Sequence, residues 1–280
     1  MRIAFQGTVG AYSEAAAQRA WPEAETMPLE RFEDVFDAVR QGRVSHGILP
    51  IENSVGGSIH RNYDLLLEHD LPIVGETELP VVHNLLALPG TQMRAIRRIF
   101  SHPQGLAQCE RYIRSLPDVE MVATYDTAGS AKLIREGGLR DTAAIASARA
   151  AEVFGLEILQ SGIQDFADNI TRFILVAREP HSLGVPDKTT LAFALYNAPG
   201  ALFKALSVFA LRDIDLTKLE SRPARGVPWE YLFYADLSIG RDDLRCGRAI
   251  VHLAESARWV KTLGSYPGWR GTAPAKAAPA

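Results

Sequence analysis

The sequence predicts an α/β protein in two parts: a two-lobed β/α region with its lobes facing each other across a cleft, then a smaller ferredoxin-like βαββαβ domain. Three observations carry that prediction. Strand-length apolar runs alternate with helix-period segments from Ile3 to Ala177, the pattern of mostly parallel sheets covered by helices. A polar, proline-bearing linker, Glu179-Pro180-His181-Ser182-Leu183-Gly184-Val185-Pro186, then interrupts the chain. After it the order of elements changes to strand, helix, strand, strand, helix, strand.

The totals narrow the possibilities. A chain of 280 residues can bury a sizeable core and more readily forms two domains than one. Its net charge of −3 gives no electrostatic case for nucleic acid or an anionic membrane as partner, and no apolar run approaches a bilayer span. Cys109 and Cys246 are far apart and neither has a CxxC partner. Free thiols in a cytoplasmic protein are therefore expected, and the immediate strand at Met1-Arg2-Ile3-Ala4-Phe5, with no leader ahead of it, points the same way. The histidines show no HxxxH or HExxH spacing, so no metal is expected.

In chain order, Ile3-Ala4-Phe5 runs into Gln6-Gly7-Thr8-Val9-Gly10 and an alanine-rich helix through Ser13 to about Trp21. A strand, glycine turn and helix start form an anion-friendly corner. Without a third glycine or a GK[ST] sequence it is no dinucleotide or ATP loop, and it reads equally as a plain turn. Apolar residues at 32, 35, 36 and 39 mark a helix face. The buried strand Gly47-Ile48-Leu49-Pro50-Ile51 ends in Glu52-Asn53-Ser54-Val55-Gly56-Gly57-Ser58 before a helix over 59–68. A carboxylate, an amide and two hydroxyls at a strand end point to binding, against a solvated loop as the bland alternative.

The chain crosses over near Pro80. A strand over 96–100 ends in Ser101-His102-Pro103-Gln104-Gly105 and a helix carrying Gln108 and Cys109. Alternation continues through the helix after Asp126-Thr127-Ala128, and Ser147 is placed to cap the next one. The chain returns near 165 to Asp168-Asn169-Ile170-Thr171-Arg172, which opens the buried strand Phe173-Ile174-Leu175-Val176-Ala177. Ligands of open α/β sheets usually sit at such strand mouths. Beyond the linker come a strand over 189–196, the loop Asn197-Ala198-Pro199-Gly200, a helix from Ala201-Leu202 to 211, strands near 216–220 and 230–239, a helix over 242–255 and a last strand near Val260. The final Ala/Pro-rich stretch is expected to be disordered.

Six pieces in order resemble the prephenate dehydratase family, including its arogenate-using plant branch. They are Gln6-Gly7…Gly10-Ala11-Tyr12-Ser13, Leu49-Pro50-Ile51-Glu52-Asn53-Ser54, Ser101-His102-Pro103-Gln104…Gln108-Cys109, Asn169-Ile170-Thr171-Arg172-Phe173, Gly200-Ala201-Leu202-Phe203 and Glu220-Ser221-Arg222-Pro223. One tetrapeptide would be weak; all of them across residues 1–270 are specific. The resemblance implies a catalytic domain over 1–179 like the periplasmic binding proteins, with one lobe at about 1–79 and 166–179 and the other at about 80–165. It implies an ACT regulatory domain over 188–266, a tail over 267–280, a homodimer or homotetramer, and no metal or cofactor. The reaction it implies turns prephenate into phenylpyruvate, water and carbon dioxide, or arogenate into phenylalanine, with feedback by L-phenylalanine.

That chemistry needs a proton at the departing hydroxyl, since hydroxide leaves poorly and general acids contribute typically about 10²–10⁴-fold. The family pattern puts donation on Thr171. Glu52 would have to be protonated to donate, and charged it would repel a dianion, so it is assigned to orienting the hydroxyl. Asn53, Ser101 and Gln108 carry over as substrate-binding residues, and Ser13, Ser54 and Asn169 join them as neighbours in the same motifs. Arg172 either pairs a substrate carboxylate or braces the lobes, because strand alternation turns it away from Thr171. In the second domain, the helix start at Asn197, Ala198, Pro199, Gly200, Ala201 and Leu202 suits an amino acid carboxylate, or is an ordinary cap. The resemblance adds Glu220 and Ser221 from across a subunit interface.

Two rival readings have distinct signatures. A non-catalytic ligand sensor would not need the intact Asn-Ile-Thr-Arg-Phe run. A transcription regulator would need a basic helix-turn-helix module, for which there is no spare segment. Segments 56–67 and 85–90 look plant-branch-like, which keeps arogenate open as a substrate.

Overall fold

A computed structural model describes residues 1–181, 183–224 and 230–271. The described chain forms two compact units, residues 1–65 with 77–174 and residues 66–76 with 175 onward. The chain runs through β1 (Arg2–Gln6), α1 (Tyr12–Ala20), β2 (Glu25–Leu29), α2 (Phe32–Arg40), β3 (His46–Asn53), β4 (Gly57–Ser58), α3 (His60–His69), β5 (Ile73–Pro80), β6 (Asn84–Ala87) and β7 (Arg98–Ser101). It continues through α4 (Pro103–Ala107), α5 (Glu110–Arg114), β8 (Glu120–Ala123), α6 (Thr127–Gly137), β9 (Thr142–Ala146), α7 (Ala148–Phe154), β10 (Glu157–Ser161) and β11 (Ile170–Ala177). The last elements are β12 (Lys188–Leu195), α8 (Ala201–Ala210), β13 (Leu216–Pro223), β14 (Tyr231–Leu237), α9 (Leu244–Ser256) and β15 (Ala257–Tyr266).

The first unit holds two sheets, as the two-lobed reading requires. In one, β2, β1, β3 and β11 follow in that order, with β1 parallel to both of its neighbours. Ile3, Ala4 and Phe5 of β1 are fully buried, and the face of α2 read from the sequence is buried too, at Val35, Phe36 and Val39. Pro50 lies beyond the β1 pairing of a central strand. The register of β1 with β3 stops at Ile48, and the Asn62 amide takes up the Pro50 carbonyl at 2.7 Å. The other sheet runs β10-β6-β9-β7-β8. There β7 is parallel to β8 and β9, whereas β6 is antiparallel to β9 and β10. Parallel pairing thus covers less of the region than alternation alone suggested. Leu85, Ile99, Ile113, Ile145 and Cys109 share that lobe's core.

The second unit has the expected βαββαβ order, with strands β13-β14-β12-β15 antiparallel throughout. Phe193, Phe209, Ala249 and Leu253 unite strands and both helices in one core, and Phe193 stacks on Phe233. Residues 66–76 and 175–179, read from the sequence as part of the catalytic domain, fall in this unit. The bonds explain it: Ile73 pairs with Gly264, Lys261 with Asp70 at 2.7 Å, and Lys188 with the buried Glu76 at 2.9 Å. The start of the 267–280 tail is tied down as well, Gly268 N–H to Asp187 and Trp269 N–H to Glu76. The rest of that tail, 272–280, lies outside the described residues.

Candidate active site

A cavity of about 400 Å³ opens inside the first unit, lined by Ser13, Asn53, Gln108 and Thr171 among others. Four residues singled out from separate motifs therefore meet at one place. Thr171 and Phe173 alternate on β11 and both line it, because side chains two apart on a strand share a face.

The polar groups form one directed chain. The Asn53 Oδ1 accepts backbone N–H bonds from Val55 at 3.0 Å and Gly56 at 2.6 Å, so Nδ2 must be the donor. It donates to Asn169 Oδ1 at 2.7 Å and to Thr171 Oγ1 at 2.9 Å. With its oxygen engaged, Asn169 gives its Nδ2–H to Gln108 Oε1 at 3.0 Å. That same oxygen lies 2.8 Å from His83 Nε2, which therefore carries a hydrogen. Burial holds the His83 imidazole below its usual pKa, against a smaller opposing effect of the Gln108 bond. A neutral ring with Nε2 protonated leaves Nδ1 as an acceptor, 2.9 Å from a Tyr12 hydroxyl that also lies 2.8 Å from the Val82 carbonyl, so the one phenol proton is shared between two acceptors. Burial, and secondarily Cys109, pushes the Tyr12 phenol well above its usual range.

Thr171 Oγ1 is thus an acceptor within the protein, and among the described bonds its own O–H goes to no protein group. That proton is available to whatever fills the cavity.

Other expected site residues lie elsewhere. Glu52 does not line the cavity; it pairs with Arg172 at 3.3 Å. Arg172 alternates away from Thr171 as β11 requires, and the pair joins β3 to β11 within one lobe rather than bracing two lobes. Ser101 is fully buried and donates to the Ile145 carbonyl at 2.8 Å, tying β7 to β9 without reaching the cavity. Ser54 clamps the start of β11, donating to the Asp168 carbonyl at 2.6 Å and accepting from Ile170 N–H at 2.8 Å. Asn169 supports the cavity from behind. The anion-friendly corner has spent part of its donors: Gly7 N–H goes to the Leu29 carbonyl and Gly10 N–H to Glu14.

Gln108 reaches the cavity because its helix is broken. The single helix expected there is α4 and α5, with Gln108 and Cys109 at the break. Burial raises the Cys109 thiol to about 12, so it is an inert core group. Cavity residues the sequence reading passed over include Tyr12, His83, His102, Gln104, Tyr125 and Asp126. Several stand in the same strand-to-helix position as the residues that were chosen, and that position was the available signal. Ser147 caps α7 as expected, accepting from Ala150 N–H at 3.0 Å.

A prephenate dehydratase family model matches residues 3–181. The chain belongs to the prephenate dehydratase family. Arogenate dehydratase/prephenate dehydratase 6, chloroplastic, of Arabidopsis thaliana is 49% identical over 95% of this chain and 69% of its own length. The prephenate dehydratase of Arthrobacter aurescens, solved in complex with L-Phe, superposes with a TM-score of 0.86 at 32% identity, covering 95% of this chain and 89% of that one. GqqA, described as a novel type of quorum quenching acylase, superposes at 0.88 with 38% identity, over 96% and 99%. The cytoplasmic location expected from the sequence is overturned by these relatives. The first and others from the same plant are named chloroplastic.

In the second unit, Asn197, Ala198, Ala201 and Leu202 line a smaller cavity of about 170 Å³. Gly200 starts α8 at φ 76°, a left-handed conformation that favours glycine. Pro199 and Gly200 shape the turn without lining the cavity, and Tyr231 and Phe233 close it, residues the sequence reading did not choose. Glu220 and Ser221 lie on β13 outside it, Glu220 paired with Lys218 at 3.1 Å.

Proposed function

We propose that the chain is a carbon–oxygen lyase that converts prephenate to phenylpyruvate, water and carbon dioxide, or arogenate to phenylalanine by the same step. The observation that carries this reading is the fixed donation from Asn53 to Thr171, which leaves the Thr171 proton for the cavity. In the reaction the bond to the ring carboxylate breaks and its electron pair moves into the ring, completing the aromatic sextet. The C–O bond across the ring breaks at the same time, and the hydroxyl leaves as water with the proton from Thr171. The Asn53 N–H stabilises the charge left on Oγ1, and a solvent proton restores the hydroxyl. Aromatisation drives the step, so a weakly acidic donor in fixed geometry suffices.

Ser13, Asn53 and Gln108 serve as substrate contacts, with Asn169 holding them in register. The second unit acts as an ACT-type regulatory domain whose cavity at the start of α8 takes L-phenylalanine, in a homodimer or homotetramer. Glu220 and Ser221 complete that site from another subunit.

Acylase chemistry is disfavoured by the same geometry. Acyl transfer needs a nucleophile beside a base, and among the described bonds the cavity hydroxyl on a histidine ring is that of Tyr12, a phenol made less acidic by burial. The test is direct: purified protein is incubated with prephenate and with arogenate, and phenylpyruvate and phenylalanine are quantified. Consumption of neither would overturn the reading.

A further inference from the structure

The dehydratase reading leaves the cavity's one carboxylate among the described lining residues unused. Asp126 is that carboxylate, and none of the described lining residues is lysine or arginine. An acid is poorly suited to a cavity meant for a dianion, because like charges in a partly desolvated site repel strongly.

We propose that Asp126 is a specificity-determining residue that pairs with the substrate's ammonium group, so that this site favours arogenate over prephenate. The inference rests on the dehydratase reading above. The two substrates differ at one side-chain carbon, which bears an ammonium in arogenate and a keto oxygen in prephenate. A carboxylate attracts the first and is at best indifferent to the second.

The geometry holds Asp126 ready for such a partner. Its Oδ1 accepts the Gly129 N–H and caps α6. Its Oδ2 accepts the Thr8 hydroxyl at 3.1 Å. Both donors are neutral, so the negative charge is not cancelled, and about two of the carboxylate's roughly four acceptor positions remain. The bonds come from opposite lobes of the first unit, which fixes the side chain across the cavity. A purely structural N-cap would not need the charge, since asparagine and serine cap about as well.

Asp126→Asn removes the charge and keeps the cap. The measurement is kcat and KM of the unmodified chain and the variant on both substrates. Because the ammonium is remote from the breaking bonds, its loss acts mainly on KM. The kcat/KM for arogenate should fall by about tenfold or more, the effect of losing a charged hydrogen bond, while that for prephenate rises. Asp126→Ser, a second capping residue, should repeat the pattern if folding of the first variant is impaired. An equal change on both substrates, or none, would overturn the proposal while leaving the dehydratase reading intact. A parent protein that consumes neither substrate would remove both.

Discussion

Asn53 and Thr171 are coupled in one direction only: the amide nitrogen donates and the threonine oxygen, 2.9 Å away, accepts. The direction is set two and three residues further along the chain, where the Val55 and Gly56 N–H groups occupy the Asn53 oxygen. Backbone geometry therefore dictates where a side-chain proton points.

Thr171→Val keeps the shape of the side chain and removes the proton. Its kcat should drop by at least about 10²-fold, the lower end of what a general acid supplies, with KM changed only a few-fold. Thr171→Ser should recover a substantial part of the rate. A near-parental rate in the valine variant would remove Thr171 as donor.

Asn53→Asp tests the direction of the bond. Aspartate still accepts the Val55 and Gly56 N–H groups but offers no N–H, so Thr171 must turn its own proton inward. We expect a loss of kcat close to that of Thr171→Val, together with a lower melting temperature, because the buried carboxylate then faces the Asn169 oxygen to which the amide donates. An active Asn53→Asp variant would show that the bond direction is irrelevant.

Glu52 and Arg172 are expected to matter for stability rather than turnover. Their side chains are 38% and 12% exposed, so solvent screens the pair and its loss costs about 0.5–1 kcal/mol. Glu52→Gln should lower the denaturant midpoint slightly and leave kcat within a few-fold. A hundredfold loss of rate would restore Glu52 to the catalytic step.

His83 gives the protein a defined acid sensitivity. Burial depresses its folded pKa relative to the unfolded chain, where imidazole titrates near 6.5. The unfolded state therefore binds the proton more readily. The stabilisation is fully present above about pH 6.5 and declines as pH falls through the depressed folded value. His83→Gln should flatten that part of the stability profile, measured by urea denaturation at several pH values. An unchanged slope would mean the sensitivity comes from other groups.

For the second unit, L-phenylalanine should alter the rate of the unmodified chain. Leu202→Glu, which places a charge in the cavity at the start of α8, should raise the half-effect concentration about tenfold or more. A flat response in the unmodified chain would argue against a regulatory site there.

Much of this was legible in the chain itself. The apolar runs, their spacing and the linker fixed the two-part α/β organisation, because burial periodicity is a local property. Strand mouths at 52–54 and 169–172 exposed the right neighbourhoods, and the family motifs marked Thr171, Asn53, Gln108 and Ser13, all of which the fold brings together.

What the sequence left open was which neighbour faces the cavity. Glu52 and Asn53 are adjacent and similarly polar, yet strand geometry sends one to Arg172 and the other to Thr171. Ser101 reads like a binding hydroxyl until the Ile145 carbonyl is seen to take its proton. Asp126 reads like a helix cap until the Thr8 loop arrives from 118 residues away to form one wall of the same cavity. Sequence determines the local elements and the chemistry on offer. Only the tertiary structure decides direction and partnership, because both depend on groups that the chain brings together across long separations.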